Sequence, residues 1–170
     1  LVLLPPIGII LFIINFYVLD DEKNGLSAIL AERKAWQRIA ELKEELRERD
    51  IPGVREQLAG QFFNLGRWRE CLQNLQPALD NDPENLALQY RAAQALIALD
   101  EFEKALPHLQ FIVDEEPRYR NWEAMLMLAR LHEQLGAQKK AFHYYDELAK
   151  NVQRPEMLFQ CARAYWGTER

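Results

Sequence analysis

Residues 55–83, REQLAGQFFNLGRWRECLQNLQPALDNDP, and residues 89–117, QYRAAQALIALDEFEKALPHLQFIVDEEP, are two versions of one pattern set 34 residues apart. Leu58, Phe62, Leu65, Trp68, Cys71, Leu75 and Ala78 of the first line up with Ala92, Leu96, Leu99, Phe102, Ala105, Leu109 and Ile112 of the second. Each segment holds two apolar stripes at helical spacing, split at Gly66-Arg67 or at Asp100-Glu101. The pattern predicts a hairpin of two amphipathic helices. One such hairpin cannot bury its apolar face alone, so neighbouring copies have to stack.

The composition agrees. Glycine numbers 7 in 170 residues, and straight-chain helix formers dominate. The net charge is −5 with both signs interspersed, so no basic footprint for nucleic acid is present. The expected class is all-α.

Ala59, Phe62, Gly66, Cys71, Ala78 and Pro83, repeated as Ala93, Leu96, Asp100, Ala105, Ile112 and Pro117, resemble the tetratricopeptide repeat family. A third copy with Ala129, His132, Gly136, Ala141, Tyr145 and Leu148 starts two residues late, after the lengthened link PRYRNW at 117–122. Its closing proline is displaced to Pro155, and residues 157–166 read as the first helix of a fourth copy. The repeats are expected over 52–85, 86–119, 122–155 and 156–166.

The resemblance implies an α-solenoid whose first helices line a concave groove for a protein or peptide partner. The groove positions it implies are Glu56, Phe63, Asn64, Tyr90, Gln94, Ile97, Leu126, Arg130 and Glu133, together with Gly53, Gly60, Ala87, Ala98, Glu123 and Gln134. Among these, Phe63, Tyr90, Ile97 and Leu126 form an apolar strip flanked by polar groups, which suits an extended peptide or a helix laid in a groove. The competing expectation is that residues 26–49 fold back and fill the groove themselves. Chaperone-binding repeats clamp a terminal carboxylate with Lys and Asn, but Glu56 and Gly60 stand at two of those places, so that clamp is not expected.

Residues 1–19, LVLLPPIGIILFIINFYVL, carry no charge, and Phe16 and Tyr17 precede the charged run at 20–23. About 20 apolar residues are needed to cross a bilayer core, so a single-pass membrane anchor is expected. A signal peptide and a segment docking on a partner are the alternatives. Neither a basic leader nor a small-residue cleavage site supports the former. Lys23, Arg33, Lys34 and Arg38 lean toward a cytoplasmic site for the rest of the chain.

Asn24-Gly25 is read as a break. Residues 26–49 follow as an amphipathic connecting helix with Ile29, Trp36, Ile39, Leu42 and Leu46 on one face. That face either packs on the first repeat or pairs two chains as a short coiled coil. The unpaired helix at 157–166 is a second candidate for self-association.

Catalysis is not expected. Ser27 and Thr168 are the only serine and threonine, His132-Glu133 lacks the second histidine of a zinc-protease box, and no glycine-rich phosphate loop occurs. No metal or cofactor site is expected either. His132, Cys71 and Cys161 fall on core faces, where a packed histidine and reduced thiols are the simpler reading. Two functions follow: a membrane-anchored scaffold that binds a protein partner through its repeats, or a structural subunit whose apolar N-terminus docks in a larger membrane assembly.

Overall fold

The computed structural model describes residues 7–49, 51–152 and 155–166. These form α1 (Ile7–Glu48), α2 (Pro52–Asn64), α3 (Trp68–Asn81), α4 (Leu86–Ala98), α5 (Phe102–Glu115), α6 (Tyr119–Gln134), α7 (Gln138–Asn151) and α8 (Pro155–Trp166). The architecture is an all-α helical repeat, with no strand among the described residues. Each helix packs mainly on its neighbours in the chain, so α2–α3, α4–α5 and α6–α7 are the stacked hairpins.

Three turns close these hairpins with the same hydrogen bonds. Arg67 N–H donates to Phe62 O at 2.8 Å and Gly66 N–H to Phe63 O at 3.0 Å. Glu101 and Asp100 repeat this on Leu96 and Ile97 at 2.9 and 3.0 Å, and Ala137 and Gly136 on His132 and Glu133 at 2.8 and 3.0 Å. The pair of bonds closes the helix end around one left-handed residue. Gly66 and Gly136 supply it with φ of 67° and 72°, and Asp100 supplies it with φ 58°. At the other end of a hairpin, the Asn85 side chain accepts from Ala87 N–H and Leu88 N–H at 3.1 and 3.2 Å and caps α4.

The core follows the aligned stripe. Leu58, Phe62, Cys71, Leu75, Ala78, Ala92, Leu96, Ala105, Leu109 and Ile112 are all buried, while Leu65, Trp68, Leu99 and Phe102 are half-buried at the hairpin turns. The repeat reaches the surface too. Gln76 donates to Asp80 and, one repeat on, Gln110 to Asp114, both at 2.8 Å. Arg67 pairs with Glu70, and at the matching places Glu101 pairs with Lys104 with the charges exchanged.

The N-terminal region departs from expectation in two ways. No break occurs at Asn24-Gly25, because α1 runs through it. One internal glycine lowers helix stability by only about 1 kcal/mol, too little on its own to stop a long helix. Of the expected stripe only Ile39 and Leu42 are buried, with Leu46 partly so, while Ile29 and Trp36 are 63% and 40% exposed. The short α2 covers only the C-terminal part of α1. No helix among the described residues is long and apolar enough to cross a membrane. Residues 1–6 of the expected span lie outside the described residues.

Candidate functional site

The first helices of the hairpins lie on one side of the stack, and between α2, α4 and the start of α6 they leave a cavity of about 330 Å³. Helix α2 contributes Gly60, Phe63 and Asn64. Ala87, Tyr90, Arg91 and Gln94 come from α4, and Tyr119 and Arg120 come from the link before the body of α6. The cavity unites Phe63, Asn64, Tyr90 and Gln94 from the expected groove. It is more polar than that expectation, because Arg91 and Arg120 face it as well.

The link explains why Arg120 is there. Arg120, Asn121 and Trp122 have φ/ψ of 49°/45°, 56°/49° and 72°/7°, three successive left-handed residues with no glycine among them. Each costs of order 1 kcal/mol or more, so the packing around them has to hold them. This turn absorbs the two residues by which the third copy is offset. It lays Arg120 over the ring of Tyr90, with Cζ 5.1 Å from the centroid, and sets Tyr119 against the same ring at 5.5 Å.

Tyr90 is therefore 3% exposed and packed into the core while also lining the cavity. Of the expected apolar strip Leu126 is buried too, at 6% exposure. Helix α6 is packed by both α5 and α7, and Ala124, Met125, Leu126, Leu128 and Ala129 are all buried, a wider arc than one stripe. Phe63 and Ile97 are half-buried, Phe63 edge-on to Trp68 with ring centroids 5.1 Å apart. Arg130 and Glu133 stay exposed, and Glu133 accepts a hydrogen bond from the Tyr145 hydroxyl at 2.9 Å.

The electrostatics are balanced. Arg91 stands 3.9 Å from Glu56, beyond hydrogen-bond length, and Arg120 pairs with Glu123 at 3.3 Å. Burial holds the Tyr90 phenol well above its ordinary pKa, and the nearby Glu123 carboxylate adds to this. The Tyr90 hydroxyl nevertheless makes no hydrogen bond of ordinary geometry within the fold. No residue of 26–49 lines the cavity, so α1 does not occupy the groove as the competing reading expected. Helix α1 instead borders a second cleft of about 810 Å³ with the end of α2, between Ala28, Ala31 and Ala35 on one side and Gln61, Asn64 and Leu65 on the other, Asn64 lining both recesses.

His132 and the two cysteines take the core places expected of them. His132 is 3% exposed and stacked on Tyr144 with ring centroids 5.7 Å apart. Burial pushes the Cys71 thiol up to about 11 and raises that of Cys161.

The tetratricopeptide repeat family model matches residues 63–118. No curated protein matches the sequence. Among solved structures, one titled as a crystal structure of MamA is 18% identical, with 77% of each chain covered and a TM-score of 0.69. A MamA RS-1 ArsTM double mutant is 16% identical, with 81% of each chain covered and a TM-score of 0.70. A tetratricopeptide repeat protein from Parabacteroides merdae ATCC 43184 is 20% identical over 75% of this chain and 54% of its own, with a TM-score of 0.62. At these identities the likeness is one of fold.

Proposed function

We propose that the chain is a protein-interaction scaffold that works by binding alone and receives a segment of its partner on the face formed by α2, α4 and α6. The observation that carries this reading is the cavity at residues 60–64, 87–94 and 119–120, a recess built from two successive repeats and the link to the third. Exposed Arg130 and Glu133 continue the surface along α6. The match of residues 63–118 to a repeat family that binds proteins supports the same reading.

Site-specific photocrosslinking in cells tests it. A photoreactive residue at Gln94 or Arg130 is expected to capture a defined partner that one at Gln73, exposed on α3, does not capture. Crosslinks arising only from positions on α1 would sink the groove reading. They would favour the second one, a subunit held in a larger assembly through its N-terminal helix. That second reading draws on the exposed Ile29, Leu30 and Trp36 of α1.

Membrane attachment is a separable part of the proposal, supported by the uncharged sequence at 1–19 and the aromatic pair before the charges at 20–23. Flotation with lipid vesicles tests it. The full chain is expected to float, and a chain starting at residue 26 is expected to stay at the bottom. Equal behaviour of the two chains removes this part and leaves the scaffold reading standing.

A further inference from the structure

Helix α8 ends the stack as a first helix without its second. Ala59, Ala93 and Ala162 each stand seven residues after the start of α2, α4 and α8. Ala59 and Ala93 are 0% exposed, in helices that α3 and α5 pack against. Ala162 is exposed, and no second helix covers it among the described residues. One position earlier, Cys161 is buried as Leu58 and Ala92 are, so α8 is seated on α7 in the ordinary way and only its far side is open.

The open side is apolar. Leu158 is 38% exposed and Phe159 69%, the latter more than any other large apolar side chain among the described residues. At their spacing Leu158, Phe159 and Ala162 share one face of the helix.

The charges around that face select its partner. Glu156 and Arg163 are the only charged residues of α8, and both are exposed. Two helical turns separate them, so they flank the apolar face on the same side. Their midpoint lies beside Phe159. Two such helices crossing antiparallel at that midpoint set Glu156 of each copy against Arg163 of the other, with the apolar side chains between the two ion pairs. A parallel pair would oppose like charges, which repel.

We infer that α8 pairs antiparallel with α8 of a second copy of this chain, as an isologous dimer about a two-fold axis beside Phe159. Ala162 lets the helices approach closely, and Leu158 and Phe159 supply the apolar contact. Helix α8 is only about 18 Å long, so the interface is small and a Kd on the order of 10 µM is expected. The pair would carry two groove faces, one on each copy, whether or not either holds a partner.

Glu156 in the first turn and Arg163 in the last also complement the helix dipole. That effect acts within one chain, so mixing variants separates it from pairing. Sedimentation equilibrium of the full chain in density-matched detergent is the measurement. Glu156→Arg and Arg163→Glu each turn two attractions into two repulsions, and each should weaken self-association about tenfold or more. An equimolar mixture of the two variants should dimerise as the unchanged chain does, because both contacts are attractive again in the mixed pair. Glu156→Arg/Arg163→Glu should dimerise by itself, although its helix-end charges are reversed.

A dimer that survives both single changes would place self-association elsewhere and overturn the inference. Weakened variants that neither the mixture nor the double change restores would overturn the antiparallel pairing. A chain that stays monomeric at about 200 µM would overturn it as well and leave the open face to a helix of another protein. None of these outcomes bears on the crosslinking test of the groove.

Discussion

Asp100 and Gly66 hold the same left-handed turn one repeat apart, with φ of 58° and 67°. The third copy of that turn returns to glycine at Gly136. A side chain in this conformation crowds the following carbonyl by about 1–2 kcal/mol, somewhat less for Asp. Asp100→Gly is therefore expected to stabilise the protein by about 0.5–1 kcal/mol in urea unfolding. Gly136→Ala, where a Cβ would meet nothing within 4 Å, is expected to cost about 1 kcal/mol from the backbone alone. Equal effects of the two changes would mean the turn does not set their sign.

Tyr144 ties the second hairpin to the third, its hydroxyl donating to Gln110 Oε1 at 2.9 Å across 34 residues of chain. Tyr144→Phe keeps the ring stacked on His132 and removes only this bond. The expected loss is about 0.5–1.5 kcal/mol, toward the lower end because the site is only partly buried.

Leu42 is fully buried against the first hairpin, whereas Ile29 on the same helix is 63% exposed. Leu42→Ala is expected to cost about 2–4 kcal/mol by leaving a cavity. Ile29→Ala should change stability by less than about 0.5 kcal/mol. Equal costs would mean that α1 packs along its whole length.

His132 is buried with Nε2 unpartnered, and burial lowers its pKa below the usual 6.5, with the Lys140 charge lowering it further. Burial lowers that of His108 as well. As pH falls through 6.5 the unfolded chain takes up protons that the folded chain refuses. Stability is thus complete above that pH and declines below it, until the folded pKa values are reached. The urea midpoint is expected to drop between pH 7 and pH 5.5. His132→Phe, which keeps a ring against Tyr144, should flatten that drop in part and leave the share of His108.

Most of the stack was legible in the sequence because the 34-residue period sets hairpin, turn and core together. Cys71, Ala105 and Ala141 all land buried at matching places. What escaped depends on contacts beyond one repeat. The offset before the third copy showed that something lay between Pro117 and Trp122, but three left-handed residues in a row have no sequence signature without glycine. That turn sets Tyr119 and Arg120 on Tyr90, so a residue read as groove lining is also packed into the core, and Arg91 and Arg120 join it around the cavity. The break at Asn24-Gly25 failed for the opposite reason, since a local preference was read as a stop where nothing in the fold enforces one.

Cys71 checks the burial of the first hairpin directly. With no exposure and a thiol pKa of about 11, it is expected to resist a thiol reagent at pH 8 in the folded chain and to react once urea unfolds it. Rapid labelling of Cys71 without denaturant would show that α2 and α3 separate readily.

Helix α1 also sets a distance. N-terminal to Ala28, where its cleft with the end of α2 begins, it runs on for about 30 Å as unbroken helix. Whatever holds that far end is thereby given a standoff from the repeats and a fixed rotational phase toward the face with Arg91 and Arg120. Inserting one residue into this arm would turn that face by about 100° and lengthen the reach by only about 1.5 Å. A function sensitive to orientation would respond to one inserted residue and recover after seven, two full turns.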